Sequence, residues 1–267
     1  MRNHIDVTFQ KCKQKKKKAL ILYITAGYPQ LSEQSDLVVD LEKSGADLLE
    51  IGVPFSDPIA DGPTIQFSSH EALKKGTNLK EILSWARSLR LKVDLPFVMM
   101  TYLNPVLRYG VDRFAKDAKD AGFSGLIIPD LIPEEANELE ESLGRRGLYL
   151  IFLLAPTTPP KRQKSISKQG GGFIYAVSVT GVTGARKKYS AETKKWLHKL
   201  KTSSGKPVCV GFGISKPGQI AELKKSVDGF IVGSALIDVI RRYKGQLRKK
   251  KVNQFVQQLS KECFYGH

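Results

Sequence analysis

The stretch ALILYITAGYPQLSEQSDLVVDLEKSGADLLEIGVP, residues 19–54, holds one complete structural unit. ALILYITAG (19–27) is a short apolar run rich in β-branched and aromatic residues, which reads as a buried strand. LSEQSDLVVDLEKSG (31–45) is charged and carries its apolar residues at helical spacing. ADLLEIGVP (46–54) is a second apolar run. A strand, a helix and a strand in this order build a parallel pair, and continuous apolar strands imply a sheet covered on both faces.

Working outward, the same alternation fills the chain. Six further runs follow: FVMMTYLNP (97–105), GLIIPDL (125–131), YLIFLLAP (149–156), FIYAVSV (173–179), PVCVGFG (207–213) and GFIVGSA (229–235). Helix-period segments lie between them, and a last one runs from ALIDVIRRYK to about Ser260. Eight strand–helix units in 267 residues fit an α/β fold of the closed (β/α)8 TIM-barrel type. An open doubly wound sheet fits less well, because the G-x-G-x-x-G nucleotide fingerprint is absent. No composition break marks a linker, so residues 1–267 are expected to form one domain. A basic helical segment (1–18) should precede the barrel and a C-terminal helix should close it.

Composition narrows the class. Lys and Arg number 43 against 26 Asp and Glu, a formal net charge of +17. Lysines cluster at Lys11, Lys13 and Lys15 to Lys18, and basic residues again at Arg241, Arg242, Lys244 and Arg248 to Lys251. Such clusters can bind phosphate backbones. Both flank helices near the chain ends, however, where solvated faces are the usual explanation, and no zinc finger or RNP signature accompanies them. No nucleic-acid partner is expected. No apolar run approaches the roughly 20 residues of a membrane helix, and the N-terminus lacks the apolar core of a signal peptide. Three scattered cysteines indicate neither a disulfide framework nor a zinc site. A cytoplasmic protein without a metal is expected.

In such a barrel the site lies at the C-terminal ends of the strands. Alternation along LLEIG aims Leu49 and Ile51 at the helices and Glu50 into the barrel. A buried carboxylate is costly unless paired or protonated. Glu50 is therefore either half of a core salt bridge or a functional group, and no strand run carries the lysine or arginine that the first reading needs. The next loop, VPFSDPIADGPTIQ, has three prolines, which make it stiff. Asp61 before Gly62 and Pro63 reads equally as turn chemistry or as a second carboxylate at the mouth. Glycine-rich turns end the last three strands. Gly213 allows close backbone approach, and Gly233 with Ser234 opens the last helix. These are either ordinary turns or a phosphate cradle of backbone N–H groups. Tyr175 could lie inside the barrel with its hydroxyl near the site, and Phe212 could wall a planar substrate. The four histidines have no partner at metal spacing, and Trp85 and Trp196 read as packing.

LEIGVPFSDPIADGPTIQ (49–66) closely resembles the signature of the tryptophan synthase alpha chain. The resemblance continues in order through YITAGYP, MTYLNPVLRYG, GLIIPDLIPEE, LLAPTTP, FIYAVSVTGVTGAR, VGFGIS and DGFIVGSA, covering residues 23 to about 238. It implies a (β/α)8 lyase that cleaves indole-3-glycerol phosphate to indole and glyceraldehyde 3-phosphate by a retro-aldol reaction. The family's catalytic carboxylates fall on Glu50 and Asp61. Its phosphate loops fall on Gly184, Gly213, Gly233 and Ser234, its mobile loop contains Thr183, and Tyr175 and Phe212 match its indole pocket. The resemblance further implies no cofactor in this chain, since pyridoxal phosphate belongs to a beta-chain partner in an alpha2-beta2 assembly that receives the indole. A free-standing indole-releasing lyase is the alternative. Gly27-Tyr28-Pro29 departs from the family's usual G-D-P, and Ser69 and Glu71 stand where it usually has Asn and Arg.

Overall fold

A computed structural model describes residues 2–177, 189–211 and 213–265. The strands are β1 (Ala19–Thr25), β2 (Leu48–Gly52), β3 (Phe97–Met100), β4 (Phe123–Ile127), β5 (Tyr149–Ile151), β6 (Leu153–Leu154), β7 (Ile174–Ala176), β8 (Val208–Val210) and β9 (Gly229–Val232). All ladders between them are parallel, in the order β5-β4-β3-β2-β1-β9-β8-β7-β6. The run 149–156, read as one strand, is broken at Phe152. Its first half pairs with β4 and its second with β7, so the chain itself links the two ends of the ladder order and closes the ring there. Eight expected strands are thus present as nine pieces of a nearly closed barrel.

Around it run α1 (His4–Gln14), α2 (Leu31–Lys43), α3 (Pro63–Lys74), α4 (Leu79–Leu89), α5 (Leu103–Tyr109), α6 (Val111–Asp120), α7 (Asn137–Gly144), α8 (Pro160–Lys168), α9 (Ala191–Ser203), α10 (Pro217–Leu223), α11 (Ser234–Arg242) and α12 (Gly245–Glu262). The last helical segment, expected as one piece, bends at Tyr243 and Lys244 into α11 and α12. Helix α3 was not expected at all. Its buried face is Ile65, Ser68, Ser69 and Ala72, too small and polar to read as an apolar stripe.

The barrel has two apolar layers. Leu49 and Ile51 belong to the larger one, between strands and helices, while Ile21, Leu48, Val98, Ile127, Ile151, Phe173, Cys209 and Ile231 fill the interior. Ile5 of α1 is fully buried in this inner cluster, so the N-terminal helix plugs the floor. Strand alternation then sets the next level toward the mouth. Tyr23 follows Ile21 and Glu50 follows Leu48 on the same faces, and the register pairs Tyr23 with Glu50.

The lysine run is not wholly solvated, as its charge alone suggests. Lys17 and Lys18 are buried at the floor. Lys17 Nζ meets Asp47 at 2.7 Å and donates to the Gly45 carbonyl, while Lys18 lies 3.5 Å from Asp228. Pairing is what makes a buried ammonium tolerable. Among the described residues no helix is long and apolar enough to cross a membrane, and no cluster of His, Cys, Asp and Glu could hold a metal ion.

Candidate active site

Glu50 sits near the top of β2 with 1% of its surface exposed. It makes no salt bridge among the described residues, and its Oε2 has no hydrogen-bond partner there. Burial, helped by the negative charge of Asp61, pushes its carboxyl up to about 8. The core-salt-bridge reading therefore has no partner to support it. At neutral pH this side chain is a proton-bearing acid.

Asp61 reaches the same mouth from the stiff loop after β2. Its N–H donates to the Pro58 carbonyl at 3.0 Å, a turn, and Pro63 two residues later is the first residue of α3. Proline at that position suits a helix start, because its missing N–H has no role there. Turn and carboxylate readings are thus compatible. Burial raises the Asp61 carboxyl to about 6, against a hydrogen bond from Tyr102 that favours its ionised form. Near pH 7 the two carboxyls are held in opposite states, Glu50 protonated and Asp61 ionised.

Tyr102, just after β3, was not singled out from the sequence. Its hydroxyl serves the loop twice, bonding the Asp61 carboxylate and accepting the Ala60 N–H at 3.0 Å. Its ring stacks on Phe55 at 5.1 Å between centroids. The only early signal was a hydroxyl-bearing aromatic at the end of an apolar run. The partners that give it a role lie about 40 residues away in the chain.

Tyr175 of β7 is buried inside the barrel, as expected, close enough for Glu50 to act on its phenol. Its ring occupies space that only Gly211 leaves, since a Cβ there would fall 2.4 Å from the ring. Tyr23 likewise lies over Gly52, where a Cβ would come within 2.1 Å of its hydroxyl. Two glycines therefore make room for two inward tyrosines at the level of Glu50.

Gly213 follows β8 with φ +67°, a left-handed conformation that favours glycine. Gln219, buried, braces this turn by accepting from the N–H groups of Ser215 and Lys216 at 2.8 and 2.9 Å and donating to the Gly213 carbonyl. Gly233 caps α11 and Ser234 is its first residue. The first N–H groups of a helix lack intrahelical partners and attract anions. Because β8 and β9 are paired, the Gly213 turn and the α11 terminus open side by side. Thr183, Gly184 and Phe212 lie outside the described residues.

A parallel barrel with an acid and a carboxylate at its mouth, beside a left-handed glycine turn and the open N-terminus of a helix, has the parts of an acid–base enzyme. Comparison with known proteins agrees. The family model described as tryptophan synthase alpha chain matches residues 9–263. The tryptophan synthase alpha chain of Geotalea daltonii is 47% identical over 255 residues, covering 96% of this chain and 97% of that one. The one from Citrifermentans bemidjiense is 45% identical over 264 residues, with 99% of each chain covered. Among solved structures, Mycobacterium tuberculosis tryptophan synthase superposes with a TM-score of 0.91 at 36% identity, with 100% of both chains covered. Tryptophan synthase subunit alpha of Legionella pneumophila gives 0.91 at 36% identity, covering 98% of this chain and 99% of that one. The chain belongs to the tryptophan synthase alpha-chain family. It is an indole-3-glycerol-phosphate lyase, a carbon–carbon lyase of tryptophan biosynthesis that releases indole and glyceraldehyde 3-phosphate. The family needs no cofactor of its own, and pyridoxal phosphate belongs to the beta chain.

Proposed function

We propose that Glu50 and Asp61 divide the cleavage between them, on the strength of one observation: two carboxyls at one mouth held in opposite protonation states. Protonated Glu50 gives its proton to indole C3, which turns the ring into an iminium cation. Asp61, ionised, accepts the indole N–H and stabilises that charge. The Glu50 carboxylate then takes the proton from the hydroxyl on the carbon attached to C3. That carbon becomes the aldehyde of glyceraldehyde 3-phosphate as the C–C bond breaks, and the bond's electron pair neutralises the iminium and restores the indole. One proton is given and one recovered, so the acid is ready for another turn. The Gly213 turn, Gly233 and Ser234 hold the phosphate; Gly184, outside the described residues, joins them on the family resemblance alone. Tyr175 lines the indole pocket; for Phe212 and Thr183, outside the described residues, the family resemblance alone implies a part in that pocket and in the mobile loop.

Asp61→Asn tests the second role. The amide keeps the shape and loses the charge, so indole release falls by about 10²-fold or more while Glu50 is intact. Near-normal turnover would reduce Asp61 to a turn residue.

A beta-chain partner in an assembly of two alpha and two beta chains, within one cytoplasmic compartment, completes this reading. The loop after β2 supports it: Ile59 is 80% exposed, and with Phe55, Pro58, Phe67 and Leu73 it forms the apolar part of a groove of about 710 Å3 whose polar part is Ser56, Asp57, Gln66 and His70. Apolar surface of this kind at a mouth marks an interface. The three cysteines are free, the form that a reducing compartment maintains. One domain carries the lyase site. Saturating cognate beta chain is expected to raise indole production more than tenfold, about 1.4 kcal/mol of barrier, by ordering that loop. Steady-state turnover with and without the partner, together with sizing of the mixture, decides it. Full activity alone with no complex formed would identify a free-standing lyase.

A further inference from the structure

One buried side chain holds the turn after β8 from behind. Gln219 is the third residue of α10, with 5% of its surface exposed. Its Oε1 accepts the N–H groups of Ser215 and Lys216 at 2.8 and 2.9 Å and the Ser215 hydroxyl at 3.2 Å. Its Nε2 donates to the Gly213 carbonyl at 2.9 Å. The bond from Lys216, the N-cap, is what a helix start asks of its third residue. The bond to Gly213 is not. It leaves the helix for a residue at φ +67°. A glutamate would cap α10 equally well, because a cap of this kind needs only an acceptor. The amide is needed for the Gly213 carbonyl alone.

That bond decides which way the turn faces. Gly213 is exposed, and its peptide bond to Ile214 is trans. A planar trans peptide sends its carbonyl and its N–H in opposite directions. With the carbonyl drawn to Gln219, the Ile214 N–H points away from it. Among the described residues the N–H groups of Gly213 and Ile214 meet no backbone acceptor, and neither do those of Ser234 and Ala235 at the start of α11. Glycine without a Cβ has an easy alternative, since the same backbone can turn over. We propose that Gln219 is a positioning residue for the substrate's phosphate: its amide holds the Gly213 carbonyl back, so that the turn offers an anion N–H groups and no oxygen. The proposal rests on the Gly213 turn, Gly233 and Ser234 holding that phosphate. Gln219 itself touches no substrate. A carbonyl swung toward the mouth would set a partial negative charge against the phosphate and withdraw a donor in one movement.

The test compares inorganic phosphate and indole as inhibitors of the cleavage, two ligands that take different ends of the site. Gln219→Glu keeps the length and the cap and loses only the donor. It raises the inhibition constant of phosphate by about tenfold or more, the worth of one hydrogen bond to a charged group, and leaves that of indole within about twofold. Phosphate is held alike before and during bond breaking, so with indole-3-glycerol phosphate the loss falls on KM more than on kcat. A carboxylate also repels an anion. That part fades in about 1 M salt, where charges are screened beyond roughly 3 Å, whereas a turned peptide does not recover. Gln219→Met carries no charge, removes every bond and shows the same selectivity; if it does not fold, Gln219→Glu in salt decides alone. Equal weakening of phosphate and indole, the mark of a merely structural residue, overturns the proposal. So does a wild-type phosphate constant in Gln219→Glu, with or without salt, since the cap would then be the whole role of Gln219. Gly213→Ala and Ser234→Ala separate the premise: if neither weakens phosphate, the anion is not held at this corner, whatever the Gln219 variants do.

Discussion

Glu50→Gln lowers indole release from indole-3-glycerol phosphate by about 10²–10⁴-fold while leaving substrate binding within a few-fold. The amide keeps the volume and polarity of a protonated carboxyl but can neither give a proton to indole C3 nor recover one from the side-chain hydroxyl. The loss therefore falls on kcat, and the alkaline limb of the pH–rate profile disappears with it. Single-turnover release of indole at saturating substrate, compared with the substrate's dissociation constant, separates the two effects. A variant with near-normal kcat removes Glu50 from the chemistry.

The same substitution stabilises the protein at alkaline pH. Glu50 ionises near 8 in the folded chain against an ordinary value of 4.5, burial being the main cause. Between those values the folded state keeps a proton that the unfolded state has released. The stability this contributes is fully present below about 4.5 and is lost as pH climbs through about 8. At 1.36 kcal/mol per pKa unit, the change over the whole window is on the order of 5 kcal/mol. Glu50→Gln has no such titration. Urea unfolding of both proteins at pH 5 and pH 8.5 is expected to show the variant gaining on the wild type by roughly 3–5 kcal/mol between the two conditions. Asp61, raised from 3.8 to about 6, changes stability in the same direction, and its window is over before the upper half of the Glu50 window begins. Parallel behaviour of the two proteins would mean that Glu50 is already ionised at pH 5.

Barrel architecture was legible in the sequence because each strand is a continuous apolar run, and Glu50 because alternation left it facing inward with no cation in reach. The break at Phe152 was not, since YLIFLLAP is apolar on both sides of it and composition does not report register. Helix α3 was hidden by Ser68 and Ser69, which pack as small residues against the strands. Asp61 stayed ambiguous for a local reason: Asp-Gly-Pro serves a turn and a helix start alike. Tyr102 was out of reach because a phenol acquires its role from its partners. Ala60 becomes its partner only when β3 and the loop after β2 come together. Lys17 and Lys18 read as surface charge for the same reason, their carboxylates lying 30 and 210 positions along the chain.

The closure at Phe152 also distributes motion around the hoop. Order around the sheet puts β1 midway between β5 and β6, so the joint lies diametrically opposite the strand that carries Tyr23. On the joint side Leu153 with Tyr175 and Leu154 with Ala176 pair across β6 and β7, and β8 and β9 likewise pair at two positions, whereas β1 and β2 are laced along five consecutive positions from Ile21 to Thr25. A hoop with its short ladders on one side yields there first, and deuterium is expected to enter the amides of β6 to β8 before those of β1 and β2. Give on that far wall leaves the spacing of the wall bearing Glu50 undisturbed while indole-3-glycerol phosphate enters and indole leaves.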